Sequence, residues 1–223
     1  MRPLPDDWEQ IRSCALFAGL SQPEAEAALD FFDARAAQYR KGEALLRVGD
    51  PVRAFGLVLD GAVQVFADDI HGRHMIMASV SPGGVFGEAL CFLRVQAAPI
   101  YILAMRPTRV LWLRTEPLAH PVEDAAAARL RDNYLRMLSG KLLEMNDRVQ
   151  VLSKQRLRDK LVTFFTQCAR RAGSRCFDIP FDRENLAAYL GVNRSALSRE
   201  LARMRAEGLI EFSKNHFRVL PRP

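Results

Sequence analysis

The sequence predicts an α+β chain in three parts: an N-terminal antiparallel β-roll of the jelly-roll or double-stranded β-helix kind, one long helix, and a C-terminal winged helix-turn-helix. Three observations predict it. Glycines punctuate short apolar runs between Tyr39 and Leu113, an apolar heptad runs up to Leu152, and the stretch Asp182 to Met204 reads as two short helices about a glycine. The expected divisions are 1–120 for the β-roll with its N-terminal helices, 121–153 for the long helix, and 154–223 for the winged helix-turn-helix.

Length and composition permit this arrangement. At 223 residues the chain exceeds the roughly 100 to 150 of a common single domain, so two cores are expected. Hydrophobic residues make up 49% and charged residues 26%, and no apolar run nears the roughly 20 residues that would span a bilayer. The start, Met-Arg-Pro-Leu-Pro-Asp-Asp-Trp, carries prolines and acids where a secretory signal needs an apolar stretch, so a cytoplasmic protein without membrane contact is expected.

Up to about Ala37 the chain reads as helical. Ser21-Gln22-Pro23-Glu24 is a start signal, with a serine cap, a proline in the first turn and an acid at the positive helix end. Five segments then have strand length and composition: Phe55 to Leu59, Ala62 to Phe66, Met75 to Val80, Ile100 to Met105 and Arg109 to Leu113. Asp60-Gly61 and His71-Gly72 occupy turn positions between them.

After Pro117 and Pro121 a helical pattern opens at Glu123-Asp124 and continues to about Leu152. Leu135, Leu138, Leu142, Met145, Val149 and Leu152 are spaced 3, 4, 3, 4, 3, the seam of a coiled coil. Such a seam packs either on the β domain of its own chain or on a second copy. Self-association is preferred, because helix-turn-helix proteins usually read two half-sites as dimers.

In the last part, Asp182 is an N-cap, Leu186, Ala187 and Leu190 form a buried stripe, and Gly191 turns the chain. Asn193 caps a second helix whose Leu197, Leu201 and Met204 face inward. Arg194, Ser195, Ser198 and Arg199 are left outward, where a recognition helix addresses base edges; with Asp182, Arg183 and Asn193 they form the candidate DNA-binding set. Leu209 to Phe212 and His216 to Leu220, about Ser213-Lys214-Asn215, read as the hairpin of a wing.

Charge supports a nucleic-acid partner. From Ser153 onward there are 15 Lys and Arg against 7 Asp and Glu, a net +8, whereas the remainder carries 17 against 19, a net −2. Positive charge concentrated in one part is the footprint of phosphate-backbone binding.

Catalytic and metal chemistry find no foothold in the pattern. Cys14, Cys91, Cys168 and Cys176 form no CxxC pair and read as reduced structural thiols, with Cys168 and Cys176 the one pair flanking a common loop. His71, His74, His120 and His216 show neither ligand nor triad spacing. No metal and no enzymatic activity are expected.

In order along the chain, Leu16-Phe17-Ala18-Gly19-Leu20, Tyr39-Arg40-Lys41-Gly42-Glu43, Val48-Gly49-Asp50, Gly61-Ala62-Val63, Pro82-Gly83-Gly84-Val85-Phe86-Gly87-Glu88 and Asn193-Arg194-Ser195-Ala196-Leu197-Ser198-Arg199 resemble the CRP/FNR superfamily of bacterial transcription regulators. The resemblance implies a homodimer on a palindromic duplex DNA operator, with RNA polymerase as a further partner if it activates. It also implies an effector bound near the junction of β-roll and long helix, which shifts a two-state equilibrium.

Two departures stand out. In cyclic-AMP-binding members the pair matched by Gly87-Glu88 is followed by an arginine and a serine or threonine that hold the phosphate. Ala98 and Pro99 stand at those places, which leaves an anion without a partner and implies an effector other than cyclic AMP. The candidate effector pocket comprises Gly87, Glu88, Ala89, Ala98, Pro99, Met75 and Met77, with Leu90, Cys91, Ile100 and Ile102 as apolar surroundings suited to a hydrophobic effector or a haem, or simply to core. A haem-dependent gas sensor and a ligand-independent DNA-binding protein are the alternatives. In the recognition helix, Ser195 and Ala196 replace the glutamate and threonine usual in relatives. Ser198 and Arg199 match a serine-arginine pair that some fumarate-nitrate-type members place on bases, which makes Arg199 and Arg194 the expected guanine contacts.

Overall fold

The computed structural model describes residues 7–68, 74–116, 125–179 and 181–221, with the backbone alone at 68, 74 and 75. The chain divides into two compact units, Met1–Ser139 and Gly140–Pro223.

In the first unit, α1 (Trp8–Ser13), a 3-10 turn (Ala15–Phe17) and α2 (Gln22–Phe31) precede the strands. The start signal at Ser21 is realised by Glu24, whose carboxylate accepts from the Ser21 N–H and hydroxyl at 2.7 Å each. The helical reading to Ala37 is corrected. Helix α2 ends at Phe31, Asp33 turns at φ +45°, and β1 (Arg35–Tyr39) pairs antiparallel with β8 (Thr108–Leu113). Ala36, Ala37 and Gln38 are helix formers whose modest propensity yields to pairing with Leu111, Val110 and Arg109.

The remaining strands are β2 (Ala44–Leu46), β3 (Phe55–Asp60), β4 (Val63–Asp68), β5 (His74–Val80), β6 (Val85–Phe86) and β7 (Tyr101–Ala104). They form two four-stranded sheets, ordered β1-β8-β3-β6 and β2-β7-β4-β5. The five predicted segments are all strands, to within two residues at each end. Asp60-Gly61 does turn the chain, yet β3 and β4 do not pair: the turn carries the chain from one sheet to the other. His71-Gly72, Pro117, Pro121, His120 and Glu123-Asp124 lie outside the described residues.

Strand β3 is apolar at nearly every position because both of its faces are covered. Phe55, Leu57 and Leu59 join Leu111 and Leu113 in a core capped by Ile11, Leu16, Phe17, Leu29 and Phe32, whereas Val58 and Val110 turn to a second core with Val63, Val65, Phe86 and Ile102. A Cβ at Gly56 would lie 2.0 Å from the Phe86 ring, so any larger residue here forces that buried ring to shift. In the first core Phe32, Phe55 and Tyr134 meet edge to face, with centroids 6.4 and 6.1 Å apart. Truncating a buried ring such as Phe32 to alanine costs on the order of 3 to 5 kcal/mol.

Three short elements of this unit escaped the sequence pattern: β2, β6 and α3 (Glu88–Phe92). Helix α4 (Ala125–Leu152) is the long helix, and the boundary between units falls inside it. Its Leu130, Tyr134 and Met137 enter the first core, and Asn133 donates to the carbonyls of Leu16 and Ala18 at 3.0 and 2.8 Å.

The second unit holds α5 (Leu157–Ala172), β9 (Cys176–Asp178), α6 (Arg183–Leu190), α7 (Arg194–Ala206), β10 (Ile210–Ser213) and β11 (His216–Val219). The wing hairpin β10-β11 is as expected but gains β9 as a third strand. Val151 of α4, Leu161 and Phe165 of α5, Phe177, Leu186, Leu190, Leu197, Leu201 and Phe217 form one core.

Candidate nucleic-acid interface

The helix-turn-helix is assembled by its caps. The Asp182 carboxylate accepts from the Asn185 N–H at 2.7 Å and starts α6; the Asn193 amide oxygen accepts from the Ser195 N–H at 2.8 Å and starts α7. Between them Gly191 takes φ +65°, the left-handed conformation that an L side chain resists. Leu186, Ala187, Leu190, Leu197, Leu201 and Met204 are all buried, as the spacing requires. Arg194, Ser195, Ser198 and Arg199 are all exposed on the opposite face of α7.

Salt bridges fix α7 against α5. Arg158 donates its Nε to Glu200 at 2.7 Å and grips Glu207 with two bonds of 2.8 and 2.7 Å, raising its own pKa and lowering that of Glu207. Lys160 donates to the Leu190 carbonyl at 2.8 Å, closing the C-terminal end of α6. These residues keep the exposed face of α7 in place without belonging to it. The repeat of Leu161, Phe164 and Phe165 at helical spacing, followed by Gly173, was the signal in the sequence that would have found α5.

Arg183, one of the candidate DNA-binding residues, is engaged by the wing. Its guanidinium lies 4.9 Å over Phe212 and 5.1 Å over Phe217, and Nη2 donates to the Lys214 carbonyl at 2.9 Å. Burial lowers its pKa, and Nη1 is buried without a hydrogen-bond partner among the described residues. The anchored wing places Lys214 and Asn215 beside Asp182, Arg183, Glu184 and Arg194 around an open cleft of about 310 Å³. Lys214 holds φ +52° at the tip, an uncommon conformation for lysine. Sequence reading placed Lys214 in a turn and missed that it meets Arg194 across this cleft.

The candidate effector residues are dispersed. Gly87, Glu88 and Ala89 open α3, with Glu88 buried and Ala89 exposed. Ala98 is buried, its N–H and carbonyl tied to the Asp50 carbonyl and the Gly49 N–H at 2.9 Å each, and Pro99 is exposed. Met77 is exposed, and the side chain of Met75 lies outside the described residues. The apolar surroundings do not form one lining: Leu90 and Cys91 pack in the helix-side core, Ile100 and Ile102 in the core between the sheets. Among the described residues no group of three or more His, Cys, Asp or Glu is placed to hold a metal. All four cysteines are free, with burial raising the thiol pKa of Cys91 and pushing that of Cys168 up to about 11.

The seam residues of α4 divide. Leu138 packs against the helix-side core, but Leu135, Leu142, Met145 and Val149 are 58 to 62% exposed, and Leu152 is also uncovered. The face that α4 does bury, through Ala127, Leu130, Tyr134 and Met137, is a different stripe.

Two family models match the chain: "Cyclic nucleotide-binding domain" over residues 36–120 and "Crp-like helix-turn-helix domain" over residues 155–223. The chain belongs to the CRP/FNR superfamily of transcription regulators. Among its relatives, the transcriptional activator protein FnrA of Stutzerimonas stutzeri is 26% identical over 198 residues, covering 86% of this chain and 80% of that protein. The cyclic AMP receptor protein of Thermus thermophilus is 26% identical over 200 residues, covering 90% and 89%. The solved structure of FixK2 from Bradyrhizobium japonicum superposes with a TM-score of 0.57 at 25% identity, covering 85% of this chain and 93% of that one. The superfamily comprises regulators and not enzymes, and its helix-turn-helix binds DNA. No helix of the described residues is long and apolar enough to cross a membrane.

Proposed function

We propose that this regulator acts as a homodimer on a palindromic operator, under the control of an effector near the junction of the β-roll and the long helix. The observation that carries the dimer is the uncovered stripe of Leu135, Leu142, Met145 and Val149, which is apolar, regularly spaced, and separate from the face α4 already buries. In this reading residues 1–120 sense the effector, 121–153 join the protomers, and 154–223 read DNA. Arg194, Ser195, Ser198 and Arg199 address base edges; Asp182 and Asn193 cap the helices that present them, and Arg183 fixes the wing so that Lys214 reaches phosphate. RNA polymerase is the further partner if the protein activates.

The effector is not cyclic AMP in this proposal, because the phosphate positions hold a buried alanine and an exposed proline. The dispersal of Leu90 and Cys91 from Ile100 and Ile102 counts against a haem between them and favours, as a second reading, DNA binding that needs no ligand.

Sedimentation of the protein and of a Leu142→Glu, Met145→Glu variant tests the dimer. The parent sediments as a dimer; the variant sediments as a monomer with unchanged helical circular dichroism, since both side chains are exposed in the protomer. A monomeric parent that binds operator with full affinity overturns the reading. A thermal-shift series with cyclic AMP tests the pocket: the expected shift is nil, and stabilisation that grows with its concentration overturns the exclusion.

A further inference from the structure

The start of α7 carries a donor and acceptor pattern that its composition does not reveal. Arg194 and Arg199 have donors only. The one carboxylate of α7, Glu200, is taken up by Arg158 at 2.7 Å and approached by Arg203 at 3.5 Å. The acceptors on the exposed face therefore have to come from Ser195 and Ser198. A serine hydroxyl ordinarily rotates to donate or accept as its partner requires.

At Ser195 that freedom is gone. The Asn193 amide oxygen accepts both the Ser195 N–H, at 2.8 Å, and the Ser195 hydroxyl proton, at 2.6 Å. With its proton committed to the helix cap, Oγ presents lone pairs alone to anything that approaches α7. The cap bond from the Ser195 N–H fixes the amide oxygen in place, so turning the hydroxyl proton outward gives up the 2.6 Å bond to a positioned acceptor.

In the major groove the base-edge donors are the N4 amine of cytosine and the N6 amine of adenine; guanine N7 and O6 and thymine O4 only accept. We propose that Ser195 is a specificity residue that reads a base amino group as an acceptor, with Asn193 as the positioning residue that fixes its polarity. This rests on the reading of α7 as the recognition helix. The hydroxyl takes the acceptor role that a carboxylate would fill, without adding negative charge near the phosphates. Arg194 and Arg199, to either side, supply the donors for neighbouring acceptor edges.

Selection from a randomised duplex DNA library, carried out with the full-length protein, Ser195→Ala and Asn193→Ala, tests the proposal. The parent is expected to enrich a motif in which one position of each half-site carries cytosine or adenine on the contacted strand. Ser195→Ala, an exposed change that leaves the cap acceptor in place, is expected to lose about tenfold discrimination at that position alone, the equivalent of one hydrogen bond. Asn193→Ala releases the hydroxyl proton and is expected to admit guanine or thymine at the same position. An identical motif for parent and Ser195→Ala overturns the proposal, as does a parent preference for guanine or thymine that disappears in Ser195→Ala. A parent that enriches no motif at all overturns instead the assignment of α7 as a recognition helix, so the two failures are told apart. Circular dichroism of each variant identifies any loss that comes from unfolding.

Discussion

Tyr134 Oη donates a 2.8 Å hydrogen bond to the main-chain carbonyl of Glu88, joining the long helix α4 to the first residue of α3. Both partners are buried, and the tyrosine ring packs on Phe55 and Phe92, at centroid distances of 6.1 and 5.6 Å. Burial raises the phenol pKa, so the donor proton is retained throughout the physiological range. The bond ties the Gly87-Glu88 segment to the helix whose seam is proposed to join two protomers. Tyr134→Phe keeps the ring and leaves a buried carbonyl short of its donor, at a cost of about 1 to 3 kcal/mol. Urea unfolding should show a lower midpoint with an unchanged slope; an unchanged midpoint means that water replaces the hydroxyl.

Arg199 and Lys214 are expected to separate sequence reading from charge. Arg199→Ala should weaken binding to the selected operator much more than binding to unrelated duplex, by roughly 1 to 3 kcal/mol. Equal losses on both would make Arg199 a phosphate contact.

Lys214→Gly should weaken operator and unrelated duplex alike and reduce the slope of log K against log salt by about 0.9, the value of one phosphate contact. Thermal stability should hold or rise, because glycine accepts the φ of +52° without strain. A variant with the parental salt slope places Lys214 away from the DNA.

The two cysteines of the second unit should differ sharply in reactivity. Cys176 is exposed, while Cys168 is half-buried with a thiol pKa of about 11. Alkylation of the folded protein at pH 7.5, mapped by mass spectrometry, should label Cys176 and spare Cys168, whose thiolate fraction is negligible there. Labelling of Cys168 should grow as pH approaches 11. Equal rates at pH 7.5 would contradict the burial of Cys168.

The Arg158–Glu207 pair should leave an acid signature. Glu207 has its pKa lowered from 4.5 by the Arg158 hydrogen bonds, so its contribution to stability is present above pH 4.5 and is lost as pH falls through the depressed value. Melting temperatures of the parent and Glu207→Gln should differ at pH 7 and converge as both approach pH 3. A constant offset across that range would show that the carboxylate plays no part.

Local chemistry determined the helix-turn-helix and the heptad from sequence alone. Asp182, Gly191 and Asn193 act within three residues of themselves, and each caps or turns as its type requires. The seam of Leu135 to Leu152 and the five strand segments followed from periodicity, which reports a face without reference to what covers it. What escaped were features settled by distant partners. Ala36 and Ala37 favour helix locally and become strand because β8 offers them a ladder. Leu90 and Ile102 looked like one lining, but the sheet with β3 at its heart lies between the cores they enter. The tertiary structure alone decided that Arg183 serves the wing and that Lys214 lines one cleft with Arg194. Each depends on side-chain directions in three dimensions, which no spacing along the chain encodes.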